Sequence, residues 1–310
     1  MVETATLIPE IFLKEEERSG HLVPQKKKEI WAIEIDLVAQ LDHICNKYNL
    51  KYCVGAGTLL GTVRHKGFIP WDDDVDVYML REDFDQLMEH SDEFQKPYFL
   101  QNSYNEPNLM RSFARLRNTE TLGATTREID LPIEKGIFID IFPIDGISPS
   151  RFKDMVQKVK NRFWKDVCGC YNYSKTTNKS KDIRFRLKTG IYKCIAALFA
   201  RNKGKAFRKF EQKLKKYSKD GTELWGNRTL IFDCPKSRRP YKDYADLIGM
   251  PFEFLSVPVP RAYDSMLRQQ YGNYMETPKD KGKNMHGELI VSTSYSYDEW
   301  IKRQKETDNE

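Results

Sequence analysis

The chain has 310 residues, 40% of them hydrophobic and 31% charged, and a net charge of +6. That is enough apolar material for a full core and excludes a disordered chain, while the longest apolar stretch, Ile191–Ala200, is far shorter than the roughly 20 residues of a spanning helix and is broken by Lys193. The N-terminus lacks the pattern of a secretory signal, so a cytoplasmic protein is expected, and its six cysteines, none in a CxxC pair, are expected as reduced thiols.

In chain order, apolar residues at three- and four-residue intervals (Ile30, Ile33, Leu37, Leu41, Ile44) predict an amphipathic helix over 26–47. A strand over 51–56 is ended by Gly55 and Gly57, and a short helix over 58–65 starts with Thr58 near its N-cap. A loop through Gly67 and Pro70 leads to a strand over 74–80 and a helix over 81–94. Three β-like segments follow at 98–103, 111–118 and 136–145, the last carrying Asp140; Asp145, between Pro143 and Gly146, reads as a turn residue. From about Arg151 to Lys219 the chain is helical and basic. A helix ending at Gly272 and a polar tail complete it. The fold class is α/β (α+β), a mixed sheet flanked by helices with a basic helical insertion. Its expected divisions are an N-terminal arm (1–27), a catalytic core (28–150), the insertion (151–220), a part completing the catalytic domain (221–300) and a tail (301–310).

The strongest chemical signal lies between Gly55 and Arg81. Side chains alternate along a strand, so Asp74 and Asp76 share one face while Val75 and Val77 enter the core. Two adjacent carboxylates repel, and a divalent cation between them relieves the repulsion; Mg²⁺ favours carboxylate oxygens together with substrate phosphates. A solvated acidic edge is the alternative for a lone DxD. Against it stands the preceding Gly57–Thr58 turn at a helix start, where free amides favour an anion such as phosphate. Asp140, between Ile139 and Ile141, is a buried charge that needs either a cation, as third ligand, or a salt bridge to Arg115 or Arg117. Those two arginines share a strand face and either clamp phosphate oxygens or pair with acids. Arg64, His65 and His286 are further candidates for the donor phosphates, and Trp71, Phe68 and Tyr78 are the aromatic candidates for a quaternary ammonium group, with core packing as their alternative.

The runs GTLLGTVRHKGFIPWDDDVDVYMLREDF, GIFIDIFPIDG and VPRAYDSMLRQQYGNYMETP, in that order, resemble the LicD family of phosphotransferases from about residue 28 to 290. The resemblance implies a nucleotidyltransferase-like fold in which Gly57 and Thr58 form the turn, and Asp74, Asp76 and Asp140 hold Mg²⁺, with Mn²⁺ as substitute. The interval from Thr58 to Asp74 is longer than is usual in other nucleotidyltransferases. It also implies a CDP-choline or similar CDP-alcohol donor and, as acceptor, a hydroxyl of a cell-surface glycan, lipid-linked glycan or teichoic acid precursor. The rival enzyme reading moves the nucleotidyl half to a sugar or small-molecule acceptor. A DxD glycosyltransferase is disfavoured because it requires neither the third Asp strand nor the Gly-Thr turn.

Between Arg151 and Lys219, 22 Lys and Arg stand against four acidic residues, a local +18 that leaves −12 for the rest of a chain whose total is +6. With its interleaved aromatics the segment suits peripheral contact with an anionic membrane on the cytoplasmic side. A solvated insertion is the alternative, and nucleic acid is disfavoured as a partner.

Overall fold

A computed structural model describes residues 1–106, 108–126, 128–129, 131–174, 183–199, 203–218, 222–229, 235–277 and 289–307. In order, the elements are β1 (Glu16–Arg18), β2 (His21–Val23), α1 (Gln25–Lys47), β3 (Cys53–Val54), α2 (Ala56–His65), β4 (Asp76–Leu80), α3 (Arg81–Glu89), β5 (Tyr98–Gln101), β6 (Ala114–Asn118), β7 (Leu122–Thr125) and β8 (Ile137–Gly146). The helices α4 (Arg151–Ser174), α5 (Ile183–Phe199) and α6 (Lys203–Leu214) follow. Then come β9 (Leu224–Asn227), β10 (Arg239–Pro240), α7 (Tyr241–Ala245), β11 (Leu247–Phe252), β12 (Leu255–Pro260), α8 (Tyr263–Tyr271), β13 (Leu289–Ser292) and α9 (Tyr297–Thr307).

β8 is the axis of a seven-stranded mixed sheet. One edge takes β4 in parallel over residues 140–144, and the other takes β6 and then β9, both antiparallel. β3 extends the sheet beyond β4, and β5 extends it beyond β6. Alternation then sorts the side chains: Val54, Val77, Ile139 and Ile141 join the main core with α1, while Tyr78, Phe142 and Cys53 join a second cluster with Tyr244 of α7 and Met266 of α8.

The helix expected to be amphipathic is buried from Trp31 through Val38 without a break. The reason is the N-terminal arm, which covers the face that would otherwise meet water. Phe12 packs into the core, Glu16 accepts from Lys28 at 2.8 Å, and the amide of Thr6 and the hydroxyl of Tyr98 donate to the two carboxylate oxygens of Asp36 at 2.8 and 2.7 Å. In the segment read as a polar tail, the described residues form β13, which pairs with β7, and α9, which runs to Thr307.

Asp145 is not a turn residue. It lies within β8, fully buried, and its two carboxylate oxygens accept from Nε and a terminal nitrogen of Arg81, both at 2.7 Å. The Pro-Ile-Asp-Gly run mimics a turn, but β4 holds Pro143 and Ile144 in the ladder. The basic segment forms a helical unit in which α4 packs on α5 and α6 around Val167, Tyr171, Phe207, Phe210 and Leu214. Among the described residues no helix is long and apolar enough to cross a membrane, and Cys45, Cys53, Cys168, Cys170 and Cys194 are free thiols.

Candidate active site

Asp76 opens β4 and is paired in register with Asp140 of β8, which is itself paired with Arg115 of β6. In-register neighbours share a face, so the two acids and the arginine form a row across three strands. The loop before β4 is tied down at both ends of this row. The Val75 carbonyl accepts from the Asp140 amide at 2.9 Å, and the Thr58 hydroxyl accepts from the Asp76 amide at 2.8 Å. Asp74 therefore precedes the strand proper rather than lying in it, yet stays beside the row.

The acids are crowded. The carboxylates of Asp72, Asp73 and Asp74 come within 4.8 Å of one another, and among the described residues this is the tightest grouping of potential cation ligands. Asp76 and Asp140 are not part of that grouping, but their charges act on Asp74. Burial first, and then the charges of Asp76, Asp72 and Asp140, push Asp74 up to about 10; burial, Asp140 and Asp72 hold Asp76 well above the usual carboxylate range. Glu34, buried on α1, is raised by burial and by Asp73 and Asp72. An accumulation of oxygen donors whose charge is so poorly compensated fits a divalent cation.

Arg115 is spoken for. Its Nε donates to Asp140 Oδ1 at 2.6 Å and its terminal nitrogen to both oxygens of Glu128 at 2.9 and 3.0 Å, while Arg111 also pairs with Glu128. Burial would raise Glu128, but Arg115 and Arg111 outweigh it and hold the carboxyl far below its ordinary value. The salt bridge expected as the alternative for Asp140 is thus present, on a side chain that also stands in register with Asp76. Arg117 is buried deeper, donating to the Gln101 side chain at 2.8 Å and to the carbonyls of Gly123 and Gly136 at 3.1 and 2.7 Å. Burial and the positive charge of Arg115 push it down to about 9. It braces the fold behind the row rather than facing a ligand.

Thr58 is not an N-cap, because α2 starts two residues earlier behind Gly55 and the Thr58 hydroxyl is turned to Asp76. Gly57 has a different reason to be glycine: a Cβ there would fall 2.7 Å from Asp72 Oδ2. The first turn of α2 is where unpaired amides favour an anion, and Asp72 is the anion beside it. Gly57→Ala is expected to displace Asp72 and lower turnover by about ten- to a hundredfold, with little change in melting temperature. Steady-state kinetics run beside a thermal melt checks this; unchanged turnover would remove Asp72 from the machinery.

Arg64 donates to His65 Nε2 at 2.9 Å and to the carbonyl of Tyr274 at 2.9 Å, so it ties the end of α2 to the segment after α8. Burial, with Arg64 and Arg18 nearby, pushes His65 down to about 4, which leaves it neutral at pH 7. Of the aromatic candidates, Phe68 is stacked on Trp31 in the core with ring centroids 4.6 Å apart, and Tyr78 is buried against Gly55. Trp71 is partly exposed beside His21, with Arg64 over its ring. His286 lies outside the described residues.

The sequence reading missed Asp72, Glu34 and Glu128. The run of three aspartates was the available signal for the first; nothing local marked the other two.

Residues 49–186 match a family model described as LicD/FKTN/FKRP, nucleotidyltransferase domain. The chain is similar to the lipopolysaccharide cholinephosphotransferase LicD of Haemophilus influenzae, 28% identical over 252 residues that cover 78% of this chain and 89% of that protein. It is also similar to an uncharacterized protein of Rickettsia prowazekii, 40% identical over 60 residues (19% of this chain, 23% of that protein), and to one of Rickettsia typhi, 44% identical over 55 residues (17% and 18%).

Proposed function

Since residues 49–186 match the LicD family model, we propose that this chain is a member of that family and transfers phosphocholine, or a related phospho-alcohol, from a CDP-linked donor to a hydroxyl of a cell-surface glycan or its lipid-linked precursor. The observation that carries the reading is the row of Asp76 and Asp140 on adjacent parallel strands, with Asp72 and Asp74 crowded beside it. The likeness to a lipopolysaccharide cholinephosphotransferase supports the choice of transferred group.

Asp72, Asp74, Asp76 and Asp140 would hold Mg²⁺, or Mn²⁺ in its place, which when bound neutralises the diphosphate and the departing phosphate. Arg115 fixes the carboxylate plane of Asp140, and the Thr58 hydroxyl fixes the start of β4. In the transfer, the acceptor oxygen bonds to the phosphorus bearing the alcohol, and the bond from that phosphorus to the CMP oxygen breaks. CMP leaves with the bonding electrons, and the acceptor's proton passes to a carboxylate of the cluster. Arg64 and His65, at the end of α2, are the candidates for the nucleotide side, and the partly exposed Trp71 is the aromatic face offered to a quaternary ammonium.

Incubating the protein with a panel of CDP-alcohols, an acceptor glycan and Mg²⁺ tests the proposal. Release of CMP with the phospho-alcohol on the acceptor supports it; release of the free phospho-alcohol with CMP on the acceptor would instead favour nucleotidyl transfer.

The charge cluster makes a second prediction. An unfolded Asp titrates near ~3.9, whereas Asp74 in the fold is pushed up to about 10, so the folded chain holds a proton that the unfolded chain releases. Without a cation, stability therefore falls as pH rises across that window. A cation needs the ionised carboxylates, so the rise in melting temperature on adding Mg²⁺ is expected to be larger near about pH 8 than near about pH 6. A rise that is absent, or that shrinks with pH, would take the cation out of this site.

A further inference from the structure

We propose that the exposed apolar stripe of α4, continued onto α5 and bordered by lysine and arginine, docks this protein on the surface of an anionic lipid bilayer. Phe152, Met155, Val159 and Phe163 are 70, 54, 66 and 45% exposed. Their spacing of three, four and four residues places them on one face of the helix. The same helical step puts the exposed Lys153 and Lys160 along one border of that face and the exposed Arg151 and Arg162 along the other. The rings of Phe163 and Phe199 meet with centroids 5.4 Å apart, which joins the stripe to the outer face of α5, where Leu187, Ile191 and Leu198 are exposed. Scattered apolar residues on a surface are ordinary, but a continuous stripe on two adjoining helices is not.

A second feature lies on the same flank. Between α4 and the turn after α6 is a cavity of about 120 Å³ with Phe152, Val156 and Tyr217 in its wall and Lys153, Lys160, Lys213 and Lys216 lining it. An apolar pocket with four lysines in its lining matches a phosphate head group with hydrocarbon beneath it. Longer-range charge points the same way, since the 151–219 segment carries +18 while the rest of the chain carries −12.

Two other occupants fit less well. A second copy meeting stripe to stripe would bring two such positive segments together. Nucleic acid would satisfy the cations and a base could stack on Phe152 or Phe163, but most of the stripe (Met155, Val159, Leu187, Ile191 and Leu198) is aliphatic and matches acyl chains at the interface instead. α4 follows β8, the strand of Asp140, after only residues 147–150, so a docked stripe would hold the acidic row near lipid-borne molecules. The docking surface stands apart from the transferase reading, because Asp76→Asn, inactive on that reading, is expected to bind vesicles like the unaltered protein.

The test is co-sedimentation of the full chain with phosphatidylcholine vesicles, with and without phosphatidylglycerol, at low and high salt. Pelleting is expected only with phosphatidylglycerol, falling as salt rises. Two double variants, Phe152→Ser with Val159→Ser and Lys153→Glu with Lys160→Glu, are each expected to lower the bound fraction about tenfold. All four positions are on the surface, and the charge-reversal pair carries the test should the serine pair melt early. Equal recovery in the supernatant with and without vesicles would overturn the proposal. So would a dimer in sedimentation velocity that the serine pair turns into a monomer, or RNA binding lost in the serine pair with vesicle binding unchanged.

Discussion

Asp76→Asn is expected to lower kcat by about a thousandfold or more while leaving the melting temperature of the metal-free protein unchanged or slightly raised. Asp76 is half-buried, and burial and then Asp140 and Asp72 hold its carboxyl well above the usual range, so without a cation its protonated form is favoured relative to that of an exposed aspartate. Asparagine has nearly the shape of a protonated aspartic acid, and the bond from the residue 76 amide to the Thr58 hydroxyl is backbone and survives. Folding therefore loses little and sheds one source of like-charge repulsion. Catalysis loses an ionisable oxygen pair at the position aligned with Asp140. Kinetics with CDP-alcohols and a thermal melt with and without Mg²⁺ separate the two effects. Activity within threefold of the unaltered protein would sink the assignment, and a large fall in melting temperature would mean that Asp76 serves the fold instead.

Arg81→Ala is expected to cost about 3–5 kcal/mol of folding stability, among the largest single effects in the molecule. Burial works to lower the Arg81 pKa, but the charge and hydrogen bonds of Asp145 outweigh it and hold the guanidinium firmly charged. Both partners are buried, Asp145 completely, and the Ser218 hydroxyl adds a bond to Asp145 Oδ1 at 3.0 Å. Truncating the arginine strands a carboxylate with no water to replace its partner. The double replacement Arg81→Met with Asp145→Leu removes both charges at once and is expected to lie closer to the unaltered protein than Arg81→Ala. Urea unfolding midpoints of the three variants check this, and a single variant as stable as the unaltered protein would show that the pair is not holding α3 to β8.

Much of the candidate site could be read from its local pattern. Val75 and Val77 are buried as alternation requires, and Asp74 and Asp76 are neighbours, although the strand starts at Asp76 and Asp74 belongs to its approach. α1, α2, β8 and α8 lie within a few residues of their expected positions because helical periodicity and Gly boundaries are signals carried by adjacent residues. β13 and α9 were not legible. A four-residue strand has little pattern of its own, and this one is held by pairing with β7, more than 160 residues earlier in the chain. Glu34 was equally hidden, since one glutamate on a helix looks solvated until the arm and the acidic loop close over it.

The sequence by itself determined the alternation of elements, the carboxylate-rich strand behind its Gly-Thr turn, and the separation of a basic helical unit from an acidic remainder. These depend on residues close together in the chain, where side-chain period and backbone preference act directly. Which charge meets which was decided only by the tertiary structure: Asp140 with Arg115 and beside Asp76, Asp145 with Arg81, Glu128 with Arg111 and Arg115. Electrostatic partners are chosen by distance through space and by the water left between them, and both are set when β8 takes its place between β4 and β6.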